Sequence, residues 1–569
     1  MDNYWNLKAS SDSVTIESLS KELNIDTILA TLLVSRGITT YDDAKEFFRP
    51  NLRNLHNPFL MKDMERAVER LNKAIRRNER ILVYGDYDVD GTTSVALVYS
   101  YLKQIYPNVD YYIPDRYLEG YGISEQGIDF AAKTGCRLVI ALDCGIKAIK
   151  KIDYARKLGV EFIICDHHTP GDILPHAVAC LDPKRDDCKY PDKNLSGCGV
   201  GFKFMLAFCR RNNFPEEPLF NYLDLVAVSI ASDIVPIIGE NRILAAFGLK
   251  RLNSSPRLGL KSIINIAHIE DKELIINDIV FKIGPRINAA GRIESGREAV
   301  ELLISENESF ASLLSTNINE FNETRKDLDS RITQEALDII SRSEELQNRN
   351  TTVLFDPTWH KGVIGIVASR LTETYYRPTI ILTESNGLAT GSARSVDGFE
   401  LYKAIEACSD LLENFGGHAY AAGMSLKVEN VPLFSERFEK IVSETIHPEQ
   451  LIAKTDIDVE LEFNQITPKF YRILKQFAPF GPGNMKPVFV TCNVMDFGSS
   501  KLVGKDRSHL KLELISRHSG TIVKGVGFSL GNHIKRIKKN EPFDICYTIE
   551  ENDFLGKKSL QLMVREIRF

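Results

Sequence analysis

The sequence has no uninterrupted apolar run approaching the roughly 18–20 residues that cross a bilayer, which argues against a membrane-spanning helix. Its first residues, Met1 to Ser13, lack a basic stretch followed by an apolar one and do not read as a secretory signal. The ten cysteines show no regular pairing, the usage expected of reduced thiols in a cytoplasmic protein rather than of a disulfide frame. Cys180, Cys188 and Cys198 are too widely spaced for a paired zinc knuckle and read as structural. No repeat of 20–50 residues and no low-complexity tract is visible, which removes solenoids. No Gly-Lys-Ser/Thr phosphate loop occurs, which removes NTP hydrolysis of the Walker kind.

What is present is ordinary globular protein on a multidomain scale. The 569 residues correspond to about three or four domains. Hydrophobic residues at 43% and charged residues at 26% supply several cores and exclude wholesale disorder. The net charge of −6 is unevenly spread: Gln465 to Phe569 holds 18 basic and 9 acidic residues, whereas the rest of the chain carries a net −15. A basic C-terminal module on an acidic body fits a polyanion partner, with a solvated basic face as the plain alternative.

The first sixty residues read as a helical preface. From Arg80 onward, short apolar runs (Ile81–Tyr84, Arg137–Leu142, Val160–Cys165, Ala177–Leu181) are separated by helix-length segments, the pattern of βαβ units around a doubly wound parallel sheet. Between Arg297 and Asp356 there is neither Gly nor Pro. Ser305 with Glu308 forms a capping-box pattern. Leu314, Ile318, Phe321, Leu328, Ile332 and Ile339 follow with 4,3 spacing, interrupted at Arg325 and Glu335. One long amphipathic helix joining two lobes is expected, with a coiled-coil dimer as the alternative. A second α/β segment begins at Thr351–Phe355. After about Ile457, short alternating strands with Gly turns suit an all-β barrel. The expected divisions are 1–60, 61–300, 301–348, 349–450 and 455–569.

The most informative run is Gly85-Asp86-Tyr87-Asp88-Val89-Asp90-Gly91, three alternating aspartates that follow a buried strand and precede a helix. The next two strands also end in acid, at Asp143-Cys144-Gly145 and Asp166-His167-His168. Ser232-Asp233-Ile234-Val235-Pro236 ends an apolar run read as a helix. Ligands of open parallel sheets gather beyond the carboxyl ends of the strands, so these side chains converge on one edge. That many carboxylates repel one another unless cations neutralise them. Asp and His ligands without thiolate favour Mn²⁺ or Mg²⁺, and two such ions can serve attack on a phosphate ester. A calcium loop is excluded because its twelfth position holds Leu97 rather than an acid.

These motifs resemble the DHH phosphoesterases, whose signature triplet is Asp166-His167-His168, and within them the bacterial exonucleases specific for single strands. The similarity extends through Lys361–Leu371 and Phe415-Gly416-Gly417-His418-Ala419-Tyr420-Ala421-Ala422-Gly423, which resemble the DHH-associated domain. Phe477–Asn484 resembles the lead-in to the OB-fold of those exonucleases. The resemblance implies metal ligands at Asp88, Asp90, Asp143, His167, His168 and Asp233, with Asp86 and Asp166 in close support and all eight in the candidate metal set. Many of these phosphoesterases carry His where this chain has Tyr84, a departure from the family pattern. It further implies substrate contacts from Arg116 and Tyr121, from Arg286 and Asn288, and from Ser392, Arg394, Gly416, Gly417 and His418, the last also catalytic.

The implied protein is a metal-dependent 5′-to-3′ exonuclease that degrades single-stranded DNA to 5′-mononucleotides in repair and recombination. It would use two divalent cations, Mn²⁺ or Mg²⁺, and act as a cytoplasmic monomer, with a single-strand-binding protein and a helicase as partners. A family phosphodiesterase for short oligonucleotides or cyclic dinucleotides is one alternative. A catalytically silent, strand-binding replication scaffold is another. Lys501, Lys505, Arg507, Lys511, Lys535, Arg536, Lys538 and Lys539 are the candidates for a strand-gripping face on the barrel.

Overall fold

The structure is a computed structural model and describes residues 4–9, 12–418, 420–554 and 557–569; Ala419 of the glycine-rich motif and part of the N-terminal stretch lie outside them. The chain divides into two compact units, Asn57–Asp233 with Phe247–Ala453, and Met1–His56 with Ile234–Ala246 and Lys454–Phe569. The expected helical preface therefore belongs with the C-terminal module instead of standing alone.

In the first unit, β1 (Arg80–Gly85), β2 (Val109–Tyr112), β3 (Cys136–Leu142), β4 (Glu161–Cys165) and β5 (Ala179–Leu181) form an all-parallel sheet in the order β2-β1-β3-β4-β5. Alternate residues face opposite sides. Leu82, Tyr84, Val139, Ala141, Phe162 and Ile164 pack on one side against Ile128, Ala131, Ile152 and Ala155 of two crossover helices. The opposite face carries α1 (Val89–Ile105) and α2 (Gly197–Asn212), where a Cβ on Gly201 would stand 3.3 Å from both Leu142 and Val98. The doubly wound sheet is thus as expected. The strand β2 was not: Val-Asp-Tyr-Tyr is a half-buried edge strand with one fully buried residue, too little apolar pattern to read.

Beyond the sheet, α3 (Leu223–Ser232) and α4 (Gly284–Ile293) lead to α5 (Glu308–Arg342), the 35-residue connecting helix. The Gly-free stretch does not start it where the capping-box pattern suggests. A separate helix ends at Ile304, and Asn307 caps α5 through Oδ1, which accepts from the Phe310 amide at 2.9 Å. The Ser305 hydroxyl is instead used locally, donating to the Asn307 carbonyl. Leu314 and Ile318 are buried in the first half, while Ile332, Ala336 and Ile340 pack with Leu354, Trp359, Val363, Val367 and Leu371 in the second. Ile340 takes the buried place expected of Ile339, which is exposed. The apolar stripe is covered by this chain's own lobes.

The second lobe of this unit contains β6 (Thr352–Phe355), α6 (Ile364–Tyr375), β7 (Thr379–Ser385), β8 (Leu388–Arg394), β9 (Leu412–Gly417) and β10 (Ala421–Leu426). Its sheet runs β9-β10-β8-β7-β6, with β6 and β7 parallel and the remaining pairs antiparallel.

The other unit is built on β11 (Val459–Glu460), β12 (Phe489–Asp496), β13 (Lys501–Val503), β14 (His509–Ser516), β15 (Ile522–Gly527), β16 (Phe543–Phe554) and β17 (Lys557–Arg568). The order β12-β16-β17-β15-β14 closes because β14 pairs back to β12, giving a barrel without free edges at those strands. Leu29, Leu32 and Leu33 of the N-terminal helices share its core with Phe463, Phe470, Phe477 and Phe489. Buried Arg242 ties the same unit together. It donates to the carbonyls of Phe47, Phe477 and Ala478 at 2.9–3.1 Å and lies 3.7 Å over the Phe47 ring. Among the described residues no helix is long and apolar enough to cross a membrane.

Candidate active site

Four adjacent strands of the parallel sheet stop in one register row, Gly85, Leu142, Cys165 and Leu181, and the next residue in each is aspartate. Asp86, Asp143, Asp166 and Asp182 are all at least 98% buried. The backbone is shaped to hold them. Gly91 at the start of α1 is required by crowding, since a Cβ there would lie 2.4 Å from the Asp86 carbonyl. Asp143 sits in the left-handed region at φ 58, a conformation that a non-glycine residue keeps only when its surroundings fix it. The start of α2 closes on it, where a Cβ at Gly197 would meet the Asp143 Cβ at 2.7 Å.

The centre of the site is the imidazole of His167. Its Nε2 lies 3.2 Å from Asp143 Oδ1, 3.5 Å from Asp233 Oδ2 and 3.6 Å from Asp90 Oδ2. Both nitrogens of His167, Asp143 Oδ1 and Asp86 Oδ2 are buried without a hydrogen-bond partner. Asp90 is fixed by the amides of Gly197 and Cys198 at 2.7 and 2.8 Å and by the Ser229 hydroxyl at 2.7 Å. Asp88 caps α1 through the Gly91 amide at 2.9 Å and reaches the Asp143 carboxyl. Two overlapping groups have ligand atoms within 4.8 Å of one another: Asp143, His167 and His168, and Asp90, His167 and Asp233.

Electrostatics decide what such a cluster needs. Two carboxylates about 4–5 Å apart repel by roughly 3–4 kcal/mol at an effective dielectric of 20, so several pairs rival the whole stability of a domain. Burial and the neighbouring carboxylates push Asp86 and Asp143 well above the usual carboxylate range, raise Asp88, and hold Asp233 up at about 8. Burial lowers His167, favouring the neutral imidazole that can act as a ligand. Orphaned buried oxygens and nitrogens facing one another, with no thiolate among them, fit a hard divalent cation such as Mn²⁺ or Mg²⁺.

Asp166 serves a different end. Although burial opposes its charge, hydrogen bonds from the His168 ring and from the amides of Ile146, His167 and His168 bring it down to about 2. With both oxygens engaged, it orients His168, whose Nδ1 lies 2.7 Å away. His168 Nε2 in turn meets the Tyr121 hydroxyl at 3.2 Å. Tyr84 is turned away from the acids: its hydroxyl donates to the Gly122 carbonyl at 2.9 Å and accepts from the Ser124 amide. Asp182 escaped the sequence reading although it obeys the same strand-end rule. Burial lifts it to about 7, and its Oδ2 has no hydrogen-bond partner.

Beside the acids stands a group of arginines. The Arg116 guanidinium lies 4.8 Å over the Tyr87 ring. Arg394 at the end of β8 donates to Ser392 Oγ at 3.0 Å and Ser369 Oγ at 3.2 Å. Arg292, absent from the sequence-derived set, donates to the Gly362 carbonyl at 2.9 Å, linking the two lobes of this unit. Burial lowers Arg292 to about 10, and Arg116, Arg325 and Arg394 add repulsion. Arg286 and Asn288 lie on α4, where Arg286 donates to Asn319 of α5 at 3.0 Å. Gly416 is open, whereas Gly417 is crowded: at φ 151 its Cβ would fall 2.4 Å from the Ala421 carbonyl. His418 follows, anchored by its amide to that carbonyl at 2.8 Å. Its pKa is lowered by burial and by the charges of Lys147, His168 and Lys184. The second lobe thus brings His418 within electrostatic range of His168.

On the barrel all eight basic candidates are exposed. Lys501 and Lys511 are directly opposite on β13 and β14, a like-charge pair. Lys538 is paired to Asp496 at 2.8 Å, and Arg536 lies 4.3 Å over the Phe569 ring. Phe497 and Phe528, which the sequence reading did not single out, are exposed by 53% and 58% and supply stacking faces on the same module.

Comparison with known proteins follows this division. Residues 80–230 match the DHH family, N-terminal domain, residues 348–444 the DHHA1 domain and residues 457–566 the RecJ OB domain. The chain is 36% identical to the single-stranded-DNA-specific exonuclease RecJ of Bacillus subtilis, covering 98% of this chain and 70% of that protein. It is 33% identical to the Escherichia coli RecJ, covering 95% of each. The crystal structure of RecJ from Thermus thermophilus in complex with Mn²⁺ superposes with a TM-score of 0.85 at 26% identity, covering 100% of this chain and 79% of that one. The Mg²⁺ complex of the same protein gives 0.80 at 25% identity, with 100% and 78% covered. The chain belongs to the RecJ family of single-stranded-DNA-specific exonucleases, within the DHH family.

Proposed function

We propose that this protein hydrolyses single-stranded DNA from one end with divalent cations held in the strand-end acid cluster. The observation that carries the reading is the convergence of Asp90, Asp143 and Asp233 on His167 Nε2 at 3.2–3.6 Å, with buried ligand atoms left without hydrogen bonds. His167 would hold an ion together with Asp90 and Asp233 or with Asp143 and His168, the carboxylates left over by either set being free to take a second, with Asp88 beside both. Bound there, such ions supply Lewis acidity and readied water for attack on a phosphodiester. Asp166 keeps His168 in its ligand orientation. Arg116, Arg292 and Arg394, with Ser392, orient the phosphate by charge-assisted donors. The Gly416–Gly417 backbone lets phosphate approach closely, and His418 faces the charge that grows on the phosphoryl oxygens.

The resemblance supports 5′-to-3′ polarity with release of 5′-mononucleotides. The lobes tied by Arg292 and Gly362 suit a passage for one strand but not a duplex. The exposed lysines and phenylalanines of the barrel offer a second grip on single strand, a feature needless for a dinucleotide substrate. The test compares hydrolysis of 5′-labelled single strand, blunt duplex and dinucleotide in Mn²⁺. Long single strand should be degraded fastest, and equal rates on duplex would overturn the reading.

A further inference from the structure

The apolar stripe of α5 is interrupted at Arg325. Its Nη2 donates to Asn322 Oδ1 at 3.1 Å, but its Nε is buried and has no hydrogen-bond partner. The two carboxylates nearest its charge are engaged elsewhere. Asp329, fully buried, binds Arg370 at 2.7 Å and accepts from Thr333, while Glu323 binds Lys326 at 2.8 Å. Arg325 as a whole is half-buried, so its Nε–H is open to an acceptor from outside the chain.

Arg325 does not stand alone. Arg286 on α4 and Arg325 on α5 repel one another, Arg325 also repels Arg292, and Arg292 repels Arg116 and Arg394 while attracted to Asp88. Four elements of one unit thus link five guanidiniums in a file from Arg292, in range of Asp88, to Arg286 and Arg325 where α4 meets the connecting helix. Among the described residues, the hydrogen bonds of Arg286, Arg292, Arg325 and Arg394 go to carbonyl, amide or hydroxyl oxygens, not to carboxylates. Neutral acceptors orient these groups, and the carboxylates in range, Asp88, Glu323 and Asp329, offset their charge only in part. A row of phosphates answers both needs, since each offers charge and several acceptor oxygens.

We propose that Arg325 binds a backbone phosphate of the substrate strand, so that the connecting helix is itself a wall of the binding track beyond the scissile phosphate. The proposal rests on the exonuclease reading and extends its site. It predicts a contact used by long single strands and not by dinucleotides.

The experiment measures the apparent KM of the full-length protein in Mn²⁺ for a single-stranded 20-mer against NaCl concentration. Arg325→Gln and Arg325→Lys are compared with the parent, and thermal melting is followed in parallel. Neutralising one single-strand phosphate contact should reduce the log–log salt slope by about 0.7. KM at low salt should rise by roughly tenfold, the loss expected for one charge-assisted hydrogen bond. Arg325→Lys should keep the parent's slope, because the charge remains, and a dinucleotide should be cleaved alike by all three proteins. An unchanged slope in Arg325→Gln would overturn the proposal, whether or not its melting temperature fell. If the parent itself failed to degrade the 20-mer, the exonuclease reading would fall first.

Discussion

The strand-end acids and the arginine file pose one electrostatic problem with opposite signs. Both gather like charges in buried surroundings, and both leave polar atoms without partners from the chain. They differ in how the fold assembles them. Four of the acids come from neighbouring strands that stop in one register row, so the sheet sets their spacing, while Asp88 and Asp90 open α1 and Asp233 follows α3. The arginines come from a loop, two helices and a strand, and meet only because the two lobes pack along α5. The first cluster is complementary to compact divalent cations and the second to an extended polyanion. Their adjacency brings ions and phosphates to the same place.

The largest way to break this pairing is to remove a ligand. Asp143→Asn or His167→Ala should lower hydrolysis by at least about 10³-fold, the scale of deleting a group that stabilises developing charge. Circular dichroism should be preserved, because Asp143 Oδ1 and both His167 nitrogens have no hydrogen-bond partner for the substitution to remove. Turnover within tenfold of the parent would contradict the assignment.

A smaller effect should follow on the arginine side. Arg292→Gln removes a guanidinium close to both lobes and should lower kcat/KM by about tenfold to a hundredfold, one or two charge-assisted hydrogen bonds. Arg292→Lys should recover little of this loss if the guanidinium's planar fork is what the phosphate requires. Full recovery would reduce the site to a point charge.

The cation requirement can be read without any turnover. Asp233 is held up at about 8, whereas an unfolded aspartate titrates near 4. The metal-free fold therefore binds more protons than the unfolded chain between these values, and this group's contribution to stability falls as pH rises from about 4 to about 8. A divalent cation offsets that repulsion, so the rise in melting temperature on adding Mn²⁺ should be greater at pH 8 than at pH 6. A rise independent of pH would contradict the picture of a proton-holding cluster. The smallest expected effect is on the barrel. Lys501→Gln with Lys511→Gln should reduce the salt slope for long strands by up to about 1.4 and leave dinucleotide cleavage unaltered.

The same contrast explains what could be read from sequence. Acids placed just after buried strands are visible because strand and acid are adjacent in the chain, which is how Asp86, Asp143 and Asp166 stood out. Asp182 obeys that rule too, but Asp182-Pro183-Lys184 resembles an ordinary turn. Arg325 registered only as a flaw in an apolar stripe, because its neighbours Arg286 and Arg292 lie more than thirty residues away. The start of α5 was misread because Ser305 and Asn307 are both competent caps, and only the preceding helix ending at Ile304 decides between them. The strand at Val109–Tyr112 was missed because an edge strand buries too little to show a pattern. Likewise, nothing in the first fifty residues indicates that their leucines complete the core of a barrel begun more than four hundred residues later.

The most direct test of the acid cluster as a cation-dependent cutting site is digestion of single strands labelled at the 5′ or the 3′ end, in Mn²⁺, Mg²⁺ or chelator. With either cation, the 5′ label should appear at once as mononucleotide while the 3′ label stays on progressively shorter strands, and chelator should stop both. Undiminished cleavage in chelator would contradict the account.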